Sequence, residues 1–269
     1  MPIENQNVIE HNSLVWDGFA KEEGDWSKPV LKEVIEQAKL GNWAVHITKT
    51  PLKTSWLPKD IKGKNVLCLA SAGGQQAPVL AAAGAKVTVY DISQEQLAKD
   101  EFVAQRDGLT LETIKGDMRD LFIFADQTFD YIISPISNLY ISELKGLWQE
   151  CYRVLKVNGV LLTSFYNPVL FVFDKDTSLA EQGILRPKYR LPYSDISSLG
   201  TEELQQKISK QEAIVFGHTL TEQIGLQTDA GFLIAGFYED DHPSPRFLIE
   251  QFMSTMIATK AVKLCTPND

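Results

Sequence analysis

Disulfide chemistry is the first thing this chain lacks. Its three cysteines, Cys68, Cys151 and Cys265, are odd in number and far apart, so neither a disulfide framework nor a CxxC site is expected. Cys68 sits inside an apolar run and reads as a small buried hydrophobe. The four histidines, His11, His46, His218 and His242, have no metal-ligand spacing, and no metal is expected. No apolar run approaches the roughly 18 residues that a membrane span needs, and Met1–Asn12 is polar, without the apolar stretch of a signal peptide. A cytoplasmic protein without membrane contact is the expectation. Positive charge is scarce as well: 26 Lys and Arg stand against 35 Asp and Glu, a net charge of -9. The densest basic cluster, Arg186, Lys188 and Arg190, is small, so nucleic acid is not an expected partner.

What the chain has is apolar mass and a rhythm. With 269 residues, 44% of them hydrophobic, it can bury one large core. Residues 1–60 read as an N-terminal cap segment. They carry every tryptophan except Trp148, and Pro29–Leu40 is amphipathic, with Ser27 placed to cap it and Gly41 to stop it. From residue 61 to 269 strands and helices alternate. Strands are expected at 66–70, 86–90, 111–114, 129–134 and 160–165. Helices are expected at 75–83, 93–106 and 142–155, with Gly84 and Gly108 as stops and Ser93–Gln96 as a capping box. Strands spaced by helices imply parallel pairing. Residues 167–212 break the rhythm and read as an insertion shaping a substrate site, with 185–193 as one arm of an edge ribbon. A helix at 220–230, a strand at 232–238, a short helix at 246–252 and a last strand at 254–262 complete the pattern.

The chemistry gathers at strand ends. Leu69, Ala70, Ser71, Ala72, Gly73, Gly74 and Gln75 form a turn of mostly small residues after the first strand. Such a turn keeps bulk off a cleft floor, although tight strand-to-helix turns use the same residues for packing. Asp91, followed by Ile92, ends the second strand. A carboxylate there can accept from both hydroxyls of a ribose, or it can cap the next helix, a role for which Ser93 competes. Gly116-Asp117-Met118 follows the third strand, where the acid can take an adenine amino group and the methionine its ring face. A solvated turn is the alternative.

Together these residues resemble the class I S-adenosylmethionine-dependent methyltransferase family, clearly over about 60–165 and more loosely over 218–263. Val66–Gly74 is similar to the family's first motif, Asp91 to its second-strand acid, and Phe129–Ser134 to its fourth-strand motif. Arg153–Leu161 resembles its turn into strand five. The departures are Ala70 and Ala72 at usual glycines, Cys68 at the common acid, and Val157-Asn158 for Pro-Gly. Alanine costs little at those positions if φ is negative; Gln75 and Gln76 offer themselves as polar partners in place of the lost acid. The resemblance implies a doubly wound, mostly parallel seven-stranded α/β sheet with the last strand antiparallel, here with an N-terminal helical cap and the insertion after strand five. It implies S-adenosylmethionine as cofactor and S-adenosylhomocysteine as product.

Methyl transfer from a sulfonium needs little covalent help, because in-line positioning alone can supply up to about 7–11 kcal/mol. A base is needed only where the acceptor must lose a proton. Ser134 would line the sulfonium side of the site. Asn138, Tyr140, Tyr166 and Asn167, after strands four and five, are candidates for contact with a small-molecule acceptor. His218 is the candidate base, though a lone histidine is more often structural or solvated. Trp16, Phe19 and Trp26 either fold over the cofactor or pack the cap on the core. Two other functions fit the same turn and acid: an NAD(P)-binding oxidoreductase, which would want glycine where Ala70, Ala72 and Gln75 stand, and a module that binds an adenosyl ligand without turnover.

Overall fold

Continuous burial along the central strands marks a sheet covered on both faces. The computed structural model describes residues 5–22, 24 and 26–265; the ends of the two expected regions, 1–4 and 266–269, lie outside the described residues. Its elements in chain order are α1 (Asn5–Lys21), α2 (Lys32–Lys39), β1 (Asn65–Leu69), α3 (Gln76–Ala82), β2 (Lys86–Asp91), α4 (Gln94–Asp107), β3 (Glu112–Lys115), β4 (Phe129–Ser134), α5 (Lys145–Val154), β5 (Leu155–Tyr166), α6 (Thr177–Glu181), β6 (Tyr193–Ser194), α7 (Asp195–Ser198), α8 (Thr201–Ser209), β7 (Phe216–Gly217), α9 (Leu226–Asp229), β8 (Phe232–Asp240) and β9 (Met256–Lys263).

Seven strands form one sheet in the order β3-β2-β1-β4-β5-β9-β8. Neighbours are parallel from β3 through β5, and β9 runs antiparallel to both β5 and β8. The order reverses between β1 and β4, which opens a crevice at the carboxyl ends of β1, β2 and β4, where doubly wound sheets bind ligands. On β1, Val66 and Cys68 point into a core with Ile35, Ala77, Leu80 and Leu97. Leu67 and Leu69 point into the opposite core with Leu147, Trp148 and Cys151 of α5. A strand buried on both faces has no polar alternate, and each such side chain contributes about 1.5–3 kcal/mol of burial. Burial pushes the thiols of Cys68 and Cys151 up, so both remain inert hydrophobes.

Several expectations about elements change. Residues 5–21 form a helix, an addition to the elements expected in the N-terminal segment. α2 begins at Lys32, three residues after Pro29, and Leu31 stands at its N-cap without a side-chain bond. Ser27 does not cap it; its hydroxyl is buried and accepts from Gln96 Nε2 at 2.6 Å. The expected helix over 220–230 is a π turn at Thr221–Gly225 followed by α9. β5 starts at Leu155, five residues before Val160, with a register shift opposite Phe129 and Tyr131. The 185–193 stretch does not join the main sheet: Phe173 bridges Pro187, and β6 pairs with β7. The insertion's Phe171 and Tyr193 instead pack with Leu139, Ile136, Tyr140 and Tyr166. Stops fare better. Gly84 and Gly108 take positive φ of 96° and 63° after α3 and α4, as left-handed stops require.

Candidate functional site

The crevice at the strand tips holds a cavity of about 260 Å³. Three groups of residues build its wall. The turn after β1 gives Ala70, Ser71, Ala72, Gln75 and Gln76; the tips of β2 and β3 give Asp91, Ile92 and Met118; the tips of β4, β5 and β9 give Tyr140, Tyr166 and Met256. A smaller pocket of about 30 Å³ shares Ala70, Asp91, Ile92, Met118 and Tyr140, and extends past Gly116 and Asp117 to Ile9 and Asn12 of α1.

The turn after β1 departs from expectation in its backbone. Ala70 and Ala72 adopt φ of 46° and 66°, a left-handed conformation that disfavours any residue with a Cβ by roughly 1–2 kcal/mol. These alanines therefore carry strain that glycine would not. The two true glycines face away from the cavity. The Gly73 amide donates to Gln96 Oε1 at 2.7 Å and the Gly74 amide to buried Asp100 Oδ1 at 2.9 Å. A Cβ on Gly73 would come within 2.3 Å of the Gln96 carbonyl, so this glycine is demanded by the approach of α4. Between Ala70 and Ala72, Ser71 Oγ is buried, with the Cys68 thiol as its neighbour.

Asp91 accepts the Ser93 amide at 2.8 Å on Oδ1, while Ser93 Oγ caps α4 through the Gln96 amide at 3.2 Å. The capping role thus falls to Ser93, and Asp91 holds the Ser93 amide beside it. Burial raises the Asp91 carboxyl to about 6, against the pull of the Ser93 and Ile92 amides, with Asp17 adding to the rise. Asp117 is clasped by Arg119: Oδ1 accepts its amide at 3.0 Å, and Oδ2 accepts Nη2 at 2.5 Å and Nε at 3.0 Å. Gly116 is fixed by the Tyr90 phenol, which would lie 2.0 Å from an added Cβ and which donates to the Asp120 carbonyl at 2.9 Å.

Other expected residues fall outside both cavities. Leu69 and Ser134 are buried in the sheet. Asn138 is buried and donates to Gln223 Oε1 at 2.7 Å. Asn167 caps the short turn Pro168–Phe171 through the Val169 amide. His218 is buried, its Nε2 held 3.0 Å from the Ile141 carbonyl, and burial lowers its basicity. It is a packed structural histidine with no path to the cavity wall. No residue of the 167–212 insertion lines the cavity; it stands behind Tyr140 and Tyr166 instead.

Sequence reasoning missed much of the opposite wall. Segment 46–49 brings His46, Ile47, Thr48 and Lys49 to it, and this stretch has no periodicity to reveal it. Trp16 and Trp26, which the sequence did single out as covering the cofactor or packing the cap, both line the cavity. Trp16 meets Tyr140 edge-on at 5.2 Å and Phe19 at 5.4 Å, and Lys49 Nζ sits 3.8 Å from the Trp26 ring centroid. The tryptophans therefore line the cavity while packing the N-terminal segment against the core, and Phe19 packs against Trp16.

The lining suits an adenosyl cofactor: a carboxylate at the β2 tip, a turn of small residues after β1, and apolar faces from Ile92 and Met118 between them. The comparisons agree. Residues 67–163 match the family model described as a methyltransferase domain. The chain is 47% identical over 261 residues to the uncharacterized methyltransferase YbaJ of Bacillus subtilis (strain 168), covering 96% of this chain and 99% of that one. It is 26% identical to the ubiquinone biosynthesis O-methyltransferase of Actinobacillus pleuropneumoniae serotype 7 (strain AP76), over 58% of this chain and 75% of the relative. Among solved structures, an S-adenosylmethionine-dependent methyltransferase from Mesorhizobium loti superposes with a TM-score of 0.57 at 15% identity, over 77% of this chain and 94% of that one.

Proposed function

The chain belongs to the class I S-adenosylmethionine-dependent methyltransferase family, and from that premise we propose that it methylates a small, largely apolar molecule held in the 260 Å³ cavity. The observation that carries this reading is the cavity's lining. Trp16 and Trp26 of the N-terminal segment line the cavity above the strand tips together with Tyr140, Tyr166 and Met256, which makes its wall largely aromatic and apolar. A cavity of this kind suits a compact apolar guest, and the net charge of -9 offers nothing to a polyanion. The relative named for ubiquinone biosynthesis is consistent with an acceptor of that type.

In this reading Asp91 accepts from the ribose hydroxyls, Ile92 and Met118 cover the adenine, and Asp117 takes its amino group while Arg119 holds the carboxylate in place. Ser71 and Gln75 serve the methionyl end, with Ala70 and Ala72 as the floor. The bound cofactor supplies an electrophilic methyl group. The protein's part is to aim it, exclude water and shape the acceptor's approach. Residues 61–269 would carry the transfer, 1–60 would cap it, and 167–212 would support the acceptor side from behind. A dinucleotide fits less well, because its pyrophosphate needs turn amides that here go to Gln96 and Asp100.

Calorimetric titration tests this. S-adenosylmethionine and S-adenosylhomocysteine should each bind saturably and NADH should not. Saturable binding of NADH alone would overturn the assignment of the cavity.

A further inference from the structure

The proposed small acceptor raises the question of what removes its proton, and the sequence's candidate, His218, is sealed away. Of the four histidines, His11, His218 and His242 each have a ring nitrogen held by a backbone carbonyl, of Glu212, Ile141 and Ser244. His46 differs. It lines the cavity, and its ring has no hydrogen-bond partner among the described residues.

Its main chain is nevertheless fixed on every side. The His46 amide donates to Gln76 Oε1 at 2.7 Å. The carbonyl of Val45 accepts the Leu52 amide at 2.8 Å, and the carbonyl of Ile47 accepts the Ser164 hydroxyl of β5. A coil segment pinned in this way to α3 and β5 holds an imidazole in place without using either of its nitrogens. That combination suits a proton acceptor.

We infer that His46 is the general base of the transfer, and that the acceptor presents a hydroxyl to it inside the chamber bounded by Tyr140 and Tyr166. The inference rests on the small-acceptor reading above. The proton of the acceptor O–H passes to a ring nitrogen of His46. The freed oxygen electron pair forms the O–CH₃ bond, and the electron pair of the breaking C–S bond returns to sulfur. The imidazolium then gives its proton to solvent.

The surrounding charges support the role. Asp240 of β8 acts on the ring and stabilises its cationic form, while burial works more strongly in the other direction. The imidazole is therefore neutral and available at neutral pH. The cavity's remaining titratable groups are less suited. Burial raises the Tyr140 phenol far beyond use as a base, and Tyr166 Oη accepts from Arg246 at 3.0 Å. Lys49 is engaged with Trp26, and Asp91 belongs to the sugar end.

The test uses the full-length protein saturated with S-adenosylhomocysteine and 4-nitrophenol as the hydroxyl probe, with phenolate read by absorbance. In the wild type, bound 4-nitrophenol should ionise at a pH lower by about one unit or more, because its proton passes to His46 and leaves an opposed pair of charges. In His46→Gln that shift should vanish, with S-adenosylhomocysteine affinity within about twofold of the wild type, a difference well under 1 kcal/mol. Saturable binding with the same ionisation in both proteins would overturn the inference alone. A loss of cofactor-product affinity of about tenfold or more in His46→Gln would make the residue a cofactor ligand and overturn it too. Failure of 4-nitrophenol to saturate the wild type would overturn the small-acceptor reading and this inference with it.

Discussion

Ala72 shows how far a residue's type is from its conformation. The sequence places alanine where the family has glycine, and alanine is harmless if φ is negative. Here φ is 66° at Ala72 and 46° at Ala70, and nothing in a string of letters marks that. The methyl groups line the cavity floor, so the strain sits where the ligand is expected. Ala72→Gly should raise stability by about 0.5–1 kcal/mol by removing the left-handed penalty, partly offset by glycine's larger unfolded-state entropy. Denaturant titration reads this directly, and an unchanged or lower midpoint would contradict the strain. Asp91 was legible where Ala72 was not, because a carboxylate at the end of a second strand has few uses. His46 was invisible because its segment has no period, and only the fold brings it to the strand tips. The energetics of Asp91 could not be read either. Burial lifts its carboxyl to about 6, so the folded chain binds more protons than the unfolded one between about pH 4 and 6. By linkage, stability falls as pH rises through that window, by about 3 kcal/mol for this group alone. Hydroxyls donated by a ribose would offset that cost.

At the scale of elements, the strands were readable because apolar runs buried on both faces leave no ambiguity. α1 was not, because its polar residues are the ones with structural roles. Ser13 Oγ donates to the Ile92 carbonyl at 2.9 Å. Asp17 Oδ1 accepts from Ser93 Oγ at 2.5 Å and from the Glu95 amide at 3.1 Å. Asn12 donates to the carbonyls of Tyr140 and Ile214. One helix thus caps α4 from outside and ties down the loop that carries Asp91. Asp17→Ala leaves the Glu95 amide at the start of α4 without that acceptor, and loss of such a cap costs about 0.5–2 kcal/mol. The melting temperature should therefore fall, and S-adenosylhomocysteine should restore less of it than in the wild type. Equal stabilisation by the ligand in both proteins would show that α1 and the sugar loop are independent. The insertion misled the reading in the opposite way: its aromatics suggested a substrate wall, yet they pack behind Tyr140 and Tyr166.

For the whole molecule, one reversal of strand order between β1 and β4 determines where chemistry can occur, and the N-terminal segment adds Trp16 and Trp26 to the wall of that crevice. Fold and cofactor class were legible in the sequence because they depend on residues at strand ends. Much of the rest of the cavity wall was not, because positions 46–49 and 256 are brought to it only by the complete fold, whereas Trp16, Trp26, Tyr140 and Tyr166 were already singled out in the sequence. Among the described residues no helix is long and apolar enough to cross a membrane. The account depends above all on Asp91 gripping a ribose within this cavity. The direct measurement is S-adenosylhomocysteine affinity as a function of pH for the wild type and for Asp91→Asn. Wild-type affinity should weaken as pH drops below about 6, because the protonated carboxyl loses acceptor strength, and the variant should bind at least about tenfold more weakly with no such dependence. A variant that binds as tightly as the wild type, with the same response to pH, would contradict the account.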